Sequence, residues 1–149
     1  MSNGEYHYTE SGLDSVYLVS GYEINGTGKR KTVQIRDLEG LHRAIGEFLV
    51  RTKKRLTGKE IRFLRTEMLL SQLALAMLLQ VDEQTVARWE KGRTRIPGPA
   101  DATLRLLYLE HTGGNEKISN LLQMIADLED HIDRRMMLEG TDEGWALAA

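Results

Sequence analysis

A chain of 149 residues, 41% hydrophobic and 28% charged, is sized and composed for one compact domain or a small domain with appendages, which excludes global disorder. It has no cysteine, which excludes a disulfide framework and any thiolate zinc site. The net charge of −2 argues against a nucleic-acid binder only until the chain is divided: residues 1–50 carry −2, residues 51–97 carry +6 and residues 98–149 carry −6. A polyanion is attracted to that middle segment and repelled by the tail, although a solvated charged face leaves the same trace.

In chain order, the opening MSNGEYHYTESG lacks the basic and apolar regions of a signal peptide. The most apolar stretch, Met68 to Val81, is too short and too interrupted by Ser71, Gln72 and Gln80 to span a bilayer. A cytoplasmic protein with no membrane partner is expected. Ser15 to Ile24 is rich in β-branched and aromatic residues, and Asn25-Gly26-Thr27-Gly28 is a turn signal. Thr32 to Ile35 resumes alternation, so a β-hairpin with a basic loop, Lys29-Arg30-Lys31, is predicted. The run Gly26-Thr27-Gly28-Lys29 lacks the spacing and following helix of a phosphate loop and reads as a turn. A lone hairpin is marginal in water. The next segment supplies a cover: Asp37 is a candidate N-cap, and Leu38, Leu41, Ile45, Phe48 and Leu49 recur at helical spacing to about Arg51.

Thr57-Gly58-Lys59-Glu60 fits a capping box, followed by Ile61, Leu64 and Met68 on one helical face. Ser71 is placed to cap a helix from Gln72 to about Leu79. Asp82 is placed to cap another from Glu83 to about Lys91, which Gly92 ends. Pro99 opens a further helix through Leu104, Leu107 and Tyr108, which Gly113-Gly114 stops. From about Asn115 to Met137, Ile118, Leu121, Ile125, Leu128 and Ile132 step by three and four residues, as a core-facing helix or a dimer seam would. The end, TDEGWALAA, reads as frayed.

Two short helices joined by a tight turn form a rigid corner only when the close-approach position is small and the corner positions are apolar. Counting from Gln72, the fifth residue is Ala76, and the corner positions hold Leu75, Leu79, Val81, Val86 and Trp89. The second helix then turns Glu83, Gln84, Ala87 and Arg88 outward, the geometry of a recognition helix in a major groove.

On these residues the chain resembles the Cro/cI-type (XRE) helix-turn-helix regulators. The resemblance runs from about Leu56 to Tyr108. It is carried by LTGKEIRFLR, by Ser71-Gln72 and above all by VDEQTVARWEKGRTRIP from Val81 to Pro97. It implies that Gln72 contacts phosphate and that Glu83, Gln84 and Arg88 face base edges. By the same resemblance Thr85 lies near the backbone or a thymine methyl, and Arg93 and Arg95 grip phosphate. The chemistry agrees, since Gln can read adenine, Arg guanine and Glu cytosine. Glu83 is equally an acid favouring a helix N-terminus, whereas for Arg88 the groove-facing role is preferred to a surface ion pair. Glu90 is expected to make a structural bond, and Trp89 to be core.

Three positions depart from the pattern: Gln80, Ala74 and Leu69 stand where the family has Gly, Glu and Gly. Gln80 must then adopt a left-handed conformation, costing roughly 1 kcal/mol. With Leu73, Met77 and Leu78, the first helix of the pair is apolar nearly all round and calls for a cover. The segments YHYTESGLDSVYLVSGYEI and DLEGLHRAIG are similar to the N-terminal modules of MqsA/YgiT-type regulators, which often bind zinc through paired cysteines. With no cysteine, zinc is not expected, and His7, His42, His111 and His131 lack ligand spacing.

The reading is therefore a mainly α protein. A β-hairpin and helix module (1–55) precedes a five-helix Cro/cI-like helix-turn-helix domain (56–112), and a C-terminal amphipathic helix and tail follow (113–149). No catalytic constellation and no cofactor are expected. The expected partners are double-stranded DNA and a second copy of the chain in a homodimer. The competing reading is an antitoxin that binds a toxin protein and represses its own operon.

Overall fold

A computed structural model describes residues 4–113 and 135–148. The chain divides into two compact units, residues 1–45 with 133–149, and residues 46–132, so the division falls inside one helix.

The first unit is built on a four-stranded sheet ordered β1-β2-β5-β6, from β1 (Tyr6–His7), β2 (Val16–Leu18), β5 (Met136–Thr141) and β6 (Gly144–Leu147). β2 and β5 run parallel, with Val16 opposite Met136 and Leu18 opposite Leu138. All four of those side chains are buried, as alternate residues on one sheet face should be. A second, two-stranded sheet pairs β3 (Tyr22–Asn25) with β4 (Thr32–Ile35). The turn between them contains a single 3-10 turn, Gly28–Arg30.

Two expectations need correction here. The run Ser15 to Ile24 is not one strand: it breaks between β2 and β3, and Gly21 in the break has φ +82. A Cβ at Gly21 would lie 2.6 Å from the Trp145 ring, so the close approach itself requires glycine. The second correction concerns the tail, which is not frayed. Thr141-Asp142-Glu143-Gly144 turns β5 into β6, and the Trp145 indole N–H donates to the carbonyls of Arg36 and Asp37 at 2.9 and 3.0 Å. The proposed C-terminal helix lies outside the described residues except at its end, where Met136 and Met137 belong to β5.

α1 (Leu38–Thr52) begins at Asp37, whose carboxylate accepts from the Gly40 N–H at 3.1 Å. Leu41 and Ile45 are buried in the first unit, where the Tyr8 hydroxyl also meets His42 Nε2 at 2.7 Å. The second unit holds the rest of α1 with α2 (Gly58–Glu67), α3 (Gln72–Leu79), α4 (Glu83–Glu90) and α5 (Gly98–His111). These five helices make the protein mainly α, as the periodicity predicts. The capping box is complete, with Glu60 N–H donating to Thr57 Oγ1 and Thr57 N–H donating to the Glu60 carboxylate. Leu49, Leu56, Ile61, Leu64, Leu75, Val86, Leu104 and Tyr108 are all buried.

Among its buried ion pairs, two fix this unit away from the α3–α4 corner. Arg105, fully buried on α5, binds Asp101 at 2.6 Å and donates to the carbonyls of Val50 and Lys54. Asp101 in turn accepts from the Leu56 N–H. Lys53 binds Glu60 at 3.2 Å. A buried charge is tolerable only when paired and hydrogen-bonded, and both pairs satisfy that condition.

Candidate nucleic-acid interface

The helix-turn-helix is assembled from local signals. Ser71 caps α3 by accepting from the Ala74 N–H at 2.9 Å. Leu75 and Ala76 face inward and are fully buried. Gln80 then takes the left-handed conformation, φ 59 and ψ 45, and the Val81 N–H donates back to the Ala76 carbonyl at 2.9 Å. Asp82 stands at the N-cap of α4 with extended backbone, but its side chain makes no capping bond. The position was legible there and the bond was not. Val86 and Trp89 of α4 close the corner from the other side. Gly92, φ 74, ends the helix, with the Arg93 N–H returning to the Arg88 carbonyl.

Beneath this corner lies a charged clamp. Arg65 of α2 binds both carboxylate oxygens of Glu90, at 2.6 and 3.0 Å, and also donates to the Leu70 carbonyl at 2.9 Å. The Gln72 amide donates to the same Glu90 carboxylate at 3.0 Å. One acidic side chain on α4 therefore ties down α2 and the first turn of α3. α2 also begins hard against the end of α4: a Cβ on Gly58 would lie 2.4 Å from the Trp89 carbonyl oxygen. The structural bond expected of Glu90 is present. Its partner Arg65 and the need for glycine at position 58 carry no local sequence signal, because each depends on α4, 25 residues away for Arg65 and more than 30 for Gly58.

The remaining candidate residues fall in two groups. Glu83, Gln84 and Arg88 are exposed on α4, with Arg88 donating to the Gln84 side-chain oxygen at 3.3 Å, while Thr85 is half-buried. Arg93 and Arg95 are exposed in the loop that follows, which the buried Ile96 anchors. Lys91, exposed at the end of α4, adds a cation beside them. Gln72 is half-buried at the start of α3, engaged with Glu90. The arrangement is a rigid helix with hydrogen-bonding side chains outward and a cationic loop at its end. Such a surface can read base edges and hold phosphates.

A helix buried on one face, presenting polar side chains on the other and preceded by a helix across a left-handed turn defines a helix-turn-helix unit. In agreement, residues 61–103 match a family model described as Helix-turn-helix, a match that points to a DNA-binding, transcription-regulating class of domain. No match was found among curated proteins or among solved structures. The matched span lies within the second unit and does not extend to the N-terminal module. Among the described residues, no helix is long and apolar enough to cross a membrane.

Proposed function

We propose that the chain is a sequence-specific DNA-binding transcription regulator, most simply a repressor, acting as a homodimer on an inverted-repeat operator. The observation that carries this reading is the outward face of α4, where Gln84 and Arg88 stand exposed while Val86 and Trp89 lock the helix from behind. Glu83, Gln84 and Arg88 take the base-reading roles, with Thr85 near the backbone or a thymine methyl. Arg93 and Arg95 take the phosphates. The Gln72 amide has two N–H donors, and with one given to Glu90 the other serves a phosphate. Two recognition helices in a dimer read half-sites about one turn of DNA apart. Selection of bound duplexes from a random pool should return an inverted repeat, and recovery of no enriched sequence would remove the reading.

The antitoxin reading is favoured by a separate observation. Leu69, Leu73, Met77 and Leu78 are 89%, 51%, 70% and 53% exposed on and beside α3, more apolar surface than one short helix ordinarily leaves uncovered. A toxin partner on that face would be encoded next door and co-purify with the chain. A neighbouring gene of unrelated type, with no co-purifying protein, excludes it.

A further inference from the structure

The β3–β4 ribbon is left unexplained by the helix-turn-helix. Glu23, Ile24 and Asn25 are exposed on one strand, Thr32 and Gln34 on the other, and every residue from Asn25 to Lys31 is exposed. The ribbon is therefore not a buried structural layer. Its apex is nonetheless built. The 3-10 turn closes through Arg30 N–H to Thr27 O and Lys31 N–H to Gly28 O. Gly26, φ +82, cannot carry a side chain there, because a Cβ would lie 2.5 Å from the Arg30 carbonyl oxygen. This compact turn carries Lys29, Arg30 and Lys31 in succession.

Charge segregation makes the apex distinctive. Residues 24–35 hold three cations and no acid. The unit to which they belong holds seven basic and ten acidic side chains in all, so nearly half of its positive charge stands at one turn. Among the described residues, none of the three forms an ion pair. Like charges placed side by side without a counter-charge repel one another, so packing within the fold gives no reason for the cluster. A polyanion would provide the missing counter-charge.

We infer that the β3–β4 apex is a second phosphate-binding contact, in which Lys29, Arg30 and Lys31 hold the backbone of duplex DNA. The inference rests on the DNA-binding reading and adds a sequence-independent grip to it. Two-stranded ribbons with cationic tips suit this role because a groove admits them and their cations release condensed counterions from the duplex.

The test uses the full chain and a duplex it selects from a random pool, with affinity measured across salt concentrations. Each phosphate contact contributes about 0.9 to the slope of log affinity against log salt. The triple variant Lys29→Ala, Arg30→Ala, Lys31→Ala should bind more weakly at low salt and lose about 2 to 3 from that slope. The selected sequence should not change. The charge-preserving variant Lys29→Arg, Arg30→Lys, Lys31→Arg should keep the wild-type slope, which separates lost charge from a disturbed turn. The comparison variant is Arg93→Ala with Arg95→Ala. If that variant flattens the slope while the apex variant leaves it unchanged, the inference is overturned and the DNA-binding reading survives. If the wild-type chain selects and binds no duplex, both fall together. Loss of binding to phosphatidylserine vesicles by the apex variant, with the DNA slope intact, would also overturn the inference and assign the apex to an anionic membrane surface.

Discussion

Arg65 and Glu90 meet through two hydrogen bonds of 2.6 and 3.0 Å, and this pair decides how rigidly α4 is presented. The Glu90 side chain is only 4% exposed and that of Arg65 13%, so each charge is largely shielded from water and depends on the other. Because Gln72 joins the same carboxylate, the pair sets the spacing of three helices at once.

Arg65→Ala should therefore destabilise the protein by about 3 kcal/mol, the low end expected when one member of a buried pair is removed. Arg65→Lys, which keeps the charge but not the two-bond geometry, should cost less. Urea denaturation of the three proteins measures this. A loss below about 1 kcal/mol for Arg65→Ala would mean the clamp does not hold the corner.

At Gly58 the sign of the effect is informative. Alanine is favoured over glycine in helices by about 1 kcal/mol, so substitution in an open helix would stabilise. Here the added Cβ meets the Trp89 carbonyl oxygen at 2.4 Å and the Glu90 carbonyl oxygen at 2.5 Å, both backbone atoms. Gly58→Ala should instead destabilise by about 1–3 kcal/mol, the range for overpacking. An unchanged or raised melting temperature would contradict the close approach of α2 to the end of α4.

Leu69 and Gln80 both hold left-handed backbone, each with φ 59. A residue with a Cβ pays about 1–2 kcal/mol there, and glycine does not, although glycine loses more chain entropy on folding. Leu69→Gly and Gln80→Gly should each stabilise by about 0.5–1 kcal/mol net. Leu69→Gly should also reduce association through the exposed apolar face, since Leu69 is its most exposed member. Thermal melting and light scattering report the two effects separately.

Arg88 and Arg93 should differ in kind as DNA contacts. If Arg88 reads a base edge, Arg88→Ala relaxes preference at one operator position by about 1–3 kcal/mol. If Arg93 holds a phosphate, Arg93→Ala weakens all sequences alike and lowers the salt slope by about 1. Competition gel shifts with single-base operator variants distinguish them. Equal effects of the two substitutions on every sequence would show that α4 does not face the bases.

The parts of the molecule readable in advance are those whose causes lie within a few residues. Thr57 and Glu60 bond to each other's backbone, and Ser71 bonds to Ala74. The inward positions Val86 and Trp89 follow from helical period, and so does the outward position of Arg88; in α3, apolar nearly all round, Leu75 and Ala76 are singled out only by their places in the corner. Strands have no such internal bonds. β5 contains Met136, Leu138 and Gly140, residues without strong strand preference, and the heptad spacing before it invited a helix to run on.

The amino-acid order alone thus determined the capped helices and the polar outer face of α4, because bonds within one or two helical turns specify them; the left-handed turn at Gln80 was legible only through the resemblance to helix-turn-helix regulators. Only the tertiary structure decided that the chain's end returns as a hairpin beside β2, that Arg65 is the residue gripping Glu90, and that position 58 admits no side chain. Val16 and Met136 are 120 residues apart, and a pairing across that distance is selected by burial and hydrogen bonding in the assembled sheet. No local preference of either segment encodes it.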